Sequence, residues 1–151
     1  MHTASLDEFR AHFVDEFPKS ETRAALFSTF CDHRGLLLAT GTVEFCWVDG
    51  SYVERKLNPG DIDLVVGIRA SDAESLGVEQ RILLQGLLSP SQAKHTYGCH
   101  AFPVPLFPEG HPGHKHTQNQ LAYWRRQFGH TRAGNTKGII VLTEQNWGGV
   151  R

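Results

Sequence analysis

The chain has 151 residues, a length that fits one domain able to bury a sizeable core. Its hydrophobic fraction of 40% and charged fraction of 21% are those of a globular protein and argue against a disordered chain. The formal net charge of −1 excludes a strong overall positive field of the kind that attracts nucleic acid, although it leaves room for a local basic groove.

The amino terminus and the cysteines predict a cytoplasmic protein without a membrane anchor. The first residues, MHTASLDEFR, are polar and contain acids, unlike a signal peptide. Every apolar stretch falls short of the roughly 20 residues that a membrane helix needs. Cys31, Cys46 and Cys99 lack CxxC spacing and are predicted to be reduced, buried thiols.

Residues 1–35 are predicted to form a pair of helices. Apolar residues recur at helical spacing up to the breaker Pro18, which ends the first helix. Ser20 is predicted to cap the second helix, and Gly35 to terminate it. Residues 36–41, LLLATG, fit either a helix end or a short strand that enters a turn.

Residues 43–151 are predicted to form the core of the same single domain, 1–151. Strands and helices alternate there, which predicts an α/β or α+β fold with a mixed β-sheet flanked by helices. Pro103 and Pro105 place the third strand at a sheet edge or end it early. The predicted strands are Val43–Val48, Asp61–Ile68, Cys99–Leu106 and Ile139–Leu142, the predicted helices are Tyr52–Leu57, Val78–Leu88 and Leu121–Phe128, and loops are predicted over His111–Thr117 and Gly129–Gly138.

The segment VDGSYVERKLNPGDIDLVV carries the candidate chemistry. Gly50 and Ser51 follow a strand and open a predicted helix, where a glycine admits a ligand close to the backbone and free N–H groups suit phosphate. Asp61 and Asp63 alternate along the next strand, so both carboxylates are expected on one face. Two oxygen ligands beside a phosphate site are typical of Mg²⁺-dependent phosphoryl transfer.

These residues resemble the signature of the polymerase-β-like nucleotidyltransferase superfamily, which is Gly-Gly or Gly-Ser, a short spacer, and Asp-x-Asp or Asp-x-Glu. More narrowly, GSYVERKLNPGDIDLVV, YGCHAF and AYWRRQFGHTRAGNTKGIIVL are similar to a small bacterial and phage branch of unknown function. The resemblance implies a nucleotidyltransferase-like sheet and the Mg²⁺- or Mn²⁺-dependent transfer of a nucleotide from an NTP to a protein, RNA or small molecule. It also implies a toxin–antitoxin or phage-defence setting, with a cognate toxin, antitoxin or RNA as partner.

The resemblance also assigns roles to the acids. Asp61 and Asp63 would hold the metal and act in catalysis. A third carboxylate normally comes from a later, adjacent strand, and here His100 stands in that place as a catalytic and metal-binding candidate. Asp49 precedes the glycine and is interpreted either as a compensating acid or as a capping residue of the turn.

Five residues are nucleotide-binding candidates. The resemblance implies that Gly50 and Ser51 hold the triphosphate. Arg55 and Lys56 are nearby cations that either meet phosphate or are solvated charges. Lys137, before the last strand, either contacts the nucleotide or only helps to turn the chain.

Two functions from different classes therefore stay open. The first is an active nucleotidyltransferase, and the second is a catalytically degenerate relative that serves as an antitoxin, regulator or nucleotide-binding module. A third carboxylate at the Asp61/Asp63 site would favour the enzyme, whereas His100 alone would favour the binding module.

Two other segments have competing interpretations. His111, His114 and His116 lie in HPGHKH, which is either a zinc-binding cluster or a surface loop. The stretch Tyr123 to Arg126 mixes aromatic and basic residues, either as an RNA-stacking surface or because Trp124 belongs to the core and the arginines are solvated.

Overall fold

A five-stranded mixed β-sheet with helices on both faces is the main feature of the computed structural model, which describes residues 1–130 and 138–143. The strands are β1 (His2–Thr3), β2 (Val43–Asp49), β3 (Ile62–Arg69), β4 (Cys99–Leu106) and β5 (Ile140–Thr143), and their order in the sheet is β1-β5-β2-β3-β4. β2 pairs antiparallel with β3 and β5, whereas β3 pairs parallel with β4 and β1 pairs parallel with β5. The predicted α+β class with a mixed sheet is confirmed.

The helices differ in length and type. They are α1 (Leu6–Arg10), α2 (Arg23–Ala39), α3 (Ala70–Glu74), α4 (Val78–Leu88), α5 (Pro90–Tyr97) and α6 (His114–Phe128). A π-helical turn over Ala11–Asp15 continues α1, and a 3₁₀ turn over Ser51–Val53 follows β2. Within the described part of the chain, no helix combines the length and the apolarity needed to cross a membrane.

Side-chain alternation along the strands creates a separate core on each face of the sheet. On one face, Val48 and Leu64 pack in a cluster with Phe30 and Leu37 of α2. On the other face, Val65 belongs to a cluster with Phe128 of α6. The sheet is thus covered on both sides.

The edge position predicted for β4 is confirmed, since this strand ends the strand order. Pro103 and Pro105 are two residues apart, so both lack an N–H on the same side of the strand. β4 keeps its full pairing with β3 from Cys99 to Leu106, which requires that side to face away from β3. The prolines therefore also block further pairing at this edge.

The second helix is longer than predicted. α2 runs through Gly35 and ends at Ala39, so residues 36–38 are helical and not a strand. A glycine inside a helix costs only about 1 kcal/mol. The complete burial of Phe30 and Leu37 on either side of it outweighs that cost. The chain turns instead at Gly41, whose φ is +69°.

The positions of α5 and α6 differ from the prediction. α5 was not predicted, although Ser89 caps it and Pro90 is its first residue, a common start signal. α6 begins at His114, so the loop predicted over His111–Thr117 is wrong from His114 onward. Thr117 fixes this early start, because its hydroxyl donates to the Pro105 carbonyl at 2.8 Å and accepts from the Phe107 N–H at 3.0 Å.

The three cysteines are free, as predicted. Cys46 and Cys99 are fully buried, whereas Cys31 is only half-buried.

Candidate metal centre

Asp61, Asp63 and His100 meet where β2 ends and where β3 and β4 begin. One ligand atom from each residue lies within 4.8 Å of the other two. His100 Nδ1 is 3.4 Å from Asp63 Oδ1, and all three residues are half-buried. Small side-chain shifts would bring such donors onto one ion, so the residues fit a divalent cation. Two carboxylate oxygens and one imidazole nitrogen suit Mn²⁺ better than Mg²⁺.

The strand registers explain this convergence. Asp63 pairs with His100 on β4 and with Asp49 on β2. Residues paired directly across neighbouring strands have side chains on the same face. Asp49, Asp63 and His100 therefore form a row across three strands, and Asp61 lies on the same face because it precedes Asp63 by two residues. The predicted geometry, with both aspartates in one cleft and His100 beside them, is confirmed.

Asp49 is the last residue of β2 and not part of the turn, which corrects the predicted location. It is 3% exposed and lines the same cleft as Asp63. It lies outside the group of three whose ligand atoms all fall within 4.8 Å of one another. A further carboxylate thus borders the candidate metal centre.

Gly50 allows the turn after β2 to touch Asp63. Its φ is +78°, in the left-handed region that favours glycine. A Cβ at this position would lie 2.9 Å from the Asp63 Cγ and closer still to Oδ2. The group that the backbone approaches in the structure is the carboxylate of Asp63, and the predicted close approach of a ligand stays a prediction.

Ser51 opens a 3₁₀ turn of three residues, Ser51–Val53, in place of the helix predicted over Tyr52–Leu57. Both Gly50 and Ser51 line the cleft beside the aspartates. Because the turn is so short, its dipole adds little to the field at the site.

A buried arginine that was not predicted holds the loop after this turn. Arg23 is 0% exposed and donates to the carbonyls of Phe13, Tyr52, Glu54 and Lys56 over 2.6–3.1 Å. Its guanidinium lies 3.8 Å from the ring centroid of Phe17. Burial lowers the pKa of Arg23. One side chain thus fixes the backbone of the loop that carries two residues of the cleft wall, Glu54 and Lys56.

A lysine also missed from the sequence contacts the candidate metal ligands. Lys94 Nζ lies 3.2 Å from Asp61 Oδ2, and the side chains are 55% and 22% exposed. Lys94 is in the last turn of α5, the helix that was not predicted.

The cleft has a volume of about 1230 Å³, enough for a nucleotide. Of the predicted cations, Lys56 lines it, whereas Arg55 is exposed and is not among the lining residues. Lys137 lies outside the described residues, so its predicted role is untested. An aromatic wall continues from the metal centre, since the Phe102 ring lies 4.3 Å from His100 and 4.4 Å from Trp124 between centroids.

Trp124 belongs to the core, as one interpretation of its segment predicted, and it also has a surface on the cleft. It packs against the core cluster on the α6 face and also lines the cleft. Arg125 is exposed, and its guanidinium lies 5.6 Å from the Trp47 ring centroid.

Two of the three histidines of HPGHKH, His111 and His114, are engaged in local structure. His114 Nδ1 lies 2.9 Å from the Phe107 carbonyl oxygen, and the His111 ring stacks on Phe107 at 4.7 Å. Among the described residues, the group able to hold a metal is Asp61, Asp63 and His100, so the zinc interpretation of HPGHKH gains no support.

The fold and site define a mixed-sheet α+β protein with a candidate divalent-metal centre at the end of its central strands. The chain belongs to DUF6932, a family of unknown function whose profile matches residues 1–143. Searches of curated proteins and of solved structures gave no match.

Proposed function

We propose that this protein is a metal-dependent nucleotidyltransferase that moves a nucleotide from an NTP to a protein, RNA or small-molecule acceptor. The observation that carries the proposal is the convergence of Asp61, Asp63 and His100 within 4.8 Å, beside a glycine turn and inside a cleft of nucleotide size. The toxin–antitoxin or phage-defence setting rests on the sequence resemblance.

In this proposal Asp61, Asp63 and His100 hold Mg²⁺ or Mn²⁺. A divalent cation bound there would supply neutralisation of phosphate charge. Gly50 and Ser51 border the phosphates, and Lys56 contributes positive charge from the cleft wall. Arg55 and Lys137 stay predicted contributors to nucleotide binding.

A catalytically degenerate protein that binds nucleotide as an antitoxin, regulator or sensor is the second candidate. It is favoured by His100, which takes the third ligand position but brings no negative charge to it. Asp49 favours the active enzyme, because it is a buried carboxylate paired with Asp63 and lines the same cleft.

Label transfer distinguishes the two candidates. The purified protein is incubated with each α-phosphate-labelled NTP, Mg²⁺ or Mn²⁺, and cell lysate, and products are separated by gel and thin-layer chromatography. If the protein is an active transferase, the wild type should place label on an acceptor and Asp63→Asn should place none. Metal-dependent NTP binding without transfer selects the second candidate. Absence of both binding and transfer would refute both.

A further inference from the structure

We propose that Lys94 is a movable cation of this site, which pairs with Asp61 when the metal is absent and with a phosphate of the substrate when the metal is bound. The inference rests on the proposed function, since it needs the Asp61/Asp63/His100 group to hold a divalent ion. It goes beyond that function by naming a residue that couples metal binding to phosphate binding.

The first argument is location. Lys94 Nζ is 3.2 Å from Asp61 Oδ2, and Lys94 lines the cleft together with Gly50, Ser51 and Asp63. The ammonium thus contacts one of the three candidate metal ligands from the cleft itself. A cation placed there can reach both a ligand carboxylate and a phosphate bound beside it.

The second argument is that the backbone under Lys94 is held firmly. The carbonyl of Lys94 accepts from the Gly98 N–H at 2.9 Å, and the Gly98 carbonyl accepts from the N–H of Ile62, the residue after Asp61. Thr29 on α2 donates to the Tyr97 carbonyl at 2.7 Å. The end of α5 is therefore fixed beside the start of β3, and movement of the ammonium needs only rotation of the lysine side chain.

The third argument is electrostatic. The Lys94 side chain is 55% exposed, and an ion pair at that exposure is weak and readily broken. A divalent ion on Asp61 would satisfy that carboxylate and repel the ammonium. Phosphate oxygens that enter with a nucleotide would then be its strongest available partners, because charge-assisted hydrogen bonds to phosphate exceed neutral ones.

The proposal predicts effects of opposite sign in Lys94→Met. Mn²⁺ alone should bind about twofold to fivefold more tightly, because Asp61 loses a competing partner of weak ion-pair strength. The preformed complex of Mn²⁺ with inorganic tripolyphosphate should bind about tenfold more weakly, because a charged phosphate contact is lost. Lys94→Arg keeps the charge and should shift both affinities less than Lys94→Met does.

Calorimetric titration with MnCl₂ and then with Mn²⁺-tripolyphosphate tests this in the wild type and both variants. Lys115→Met is the matched control, since Lys115 is exposed and outside the cleft lining and its loss changes the net charge equally. The proposal is supported if Lys94→Met binds Mn²⁺ more tightly and Mn²⁺-tripolyphosphate more weakly than the wild type does, while Lys115→Met changes neither affinity. Unchanged affinities in Lys94→Met, or shifts of the same sign, overturn the proposal for Lys94. The proposed function still stands in that case if Mn²⁺ binds the wild type and Asp63→Asn abolishes the binding. Asp63→Asn is titrated alongside these proteins. If Mn²⁺ does not bind the wild type, or binds Asp63→Asn equally well, the assignment of the metal centre is wrong and the proposal for Lys94 fails with it.

Discussion

Gly50 lies directly against the carboxylate of Asp63, which leaves no room for a side chain at position 50. A Cβ at Gly50 would lie 2.9 Å from the Asp63 Cγ. Real Cβ atoms essentially never approach that closely, so any side chain here must displace Asp63. The geometry of the turn and the position of a candidate metal ligand are thus one constraint.

Gly50→Ala should therefore reduce metal binding as well as stability. The backbone conformation of Gly50, φ +78° and ψ −166°, is adopted essentially by glycine alone and should by itself cost about 1–3 kcal/mol in the free energy of unfolding. Displacement of Asp63 should also weaken Mn²⁺ binding by roughly tenfold or more, the scale on which metal sites respond to disturbed ligands. Urea unfolding and Mn²⁺ titration measure the two effects separately.

Gly41→Ala is the matched control for Gly50→Ala. Gly41 has a φ of +69°, but nothing lies within 4 Å of a Cβ built on it. It should show a stability loss from the positive φ without a steric clash, and unchanged Mn²⁺ affinity. Equal Mn²⁺ affinities in Gly50→Ala and the wild type would mean that Asp63 does not hold the ion.

Arg23→Met should destabilise the protein strongly. The substitution removes all the guanidinium N–H groups that donate to the carbonyls of Phe13, Tyr52, Glu54 and Lys56. A buried carbonyl left unpaired costs about 1–3 kcal/mol. Since water can reach part of the opened loop, we expect a total loss of at least about 3 kcal/mol by urea unfolding.

The control for Arg23→Met is Arg10→Met. Arg10 is 61% exposed and lies 3.7 Å from Asp15, so its loss should cost less than about 1 kcal/mol. Similar losses in the two variants would show that the Arg23 contacts do not stabilise the loop beyond ordinary surface pairing.

The sequence predicted the sheet face of the site because strand alternation is a local property. Once β3 is recognised from DIDLVV, Asp61 and Asp63 must share a face, and Gly50 must turn the chain after β2. To predict that His100 lies beside Asp63, one must know the register between β3 and β4. The resemblance to nucleotidyltransferases implied this register, whereas local periodicity does not contain it.

The residues that escaped prediction act through long-range contacts. α5, PSQAKHTY, buries only Ala93 fully, so no apolar stripe marked it as a helix or Lys94 as part of the site. Arg23 looks like an ordinary helical charge in sequence, and its partners lie 10 to 33 residues away along the chain. The burial of Arg23 depends on how α2 packs against the rest of the fold, and local sequence patterns do not predict that packing.

Stability should fall in alkaline solution because two thiols are buried. Burial raises the pKa of Cys99 from 9.0 to about 12, and it raises the pKa of Cys46 further. The unfolded chain then loses these protons first, so the native state binds more protons above pH 9 and the free energy of unfolding declines as pH rises toward 12. The slope should reach about 1.4 kcal/mol per pH unit for each such thiol.

Urea unfolding at several pH values from 8 to 11 measures this slope, with Cys99→Ala as the test variant. That variant should lose one thiol's share of the slope, whatever its stability at pH 8. The half-buried Cys31 offers the control, and Cys31→Ala should change the slope less. If Cys99→Ala leaves the slope unchanged, the loss of stability at alkaline pH arises from groups other than the Cys99 thiol.

The last prediction concerns the metal preference that His100 imposes. Its Nδ1 lies 3.4 Å from Asp63 Oδ1, in the position where the resemblance to nucleotidyltransferases predicts a third acid. Imidazole nitrogen suits Mn²⁺, whereas Mg²⁺ prefers oxygen and holds its waters tightly. Histidine also brings no negative charge to offset that of the ion. The wild type should therefore bind Mn²⁺ more tightly than Mg²⁺.

Substitutions at His100 should change that preference in a defined way. His100→Asp introduces an oxygen ligand with negative charge, so Mg²⁺ binding should strengthen and any transferase activity with Mg²⁺ should rise. His100→Ala removes the ligand and should weaken Mn²⁺ binding by at least about tenfold, since even groups that only support a ligand are worth that much. Parallel calorimetric titrations of both ions into the wild type and the two variants measure these shifts. If all three proteins bind both ions alike, His100 lies outside the metal shell, and its role is to pack against Phe102 at the start of β4.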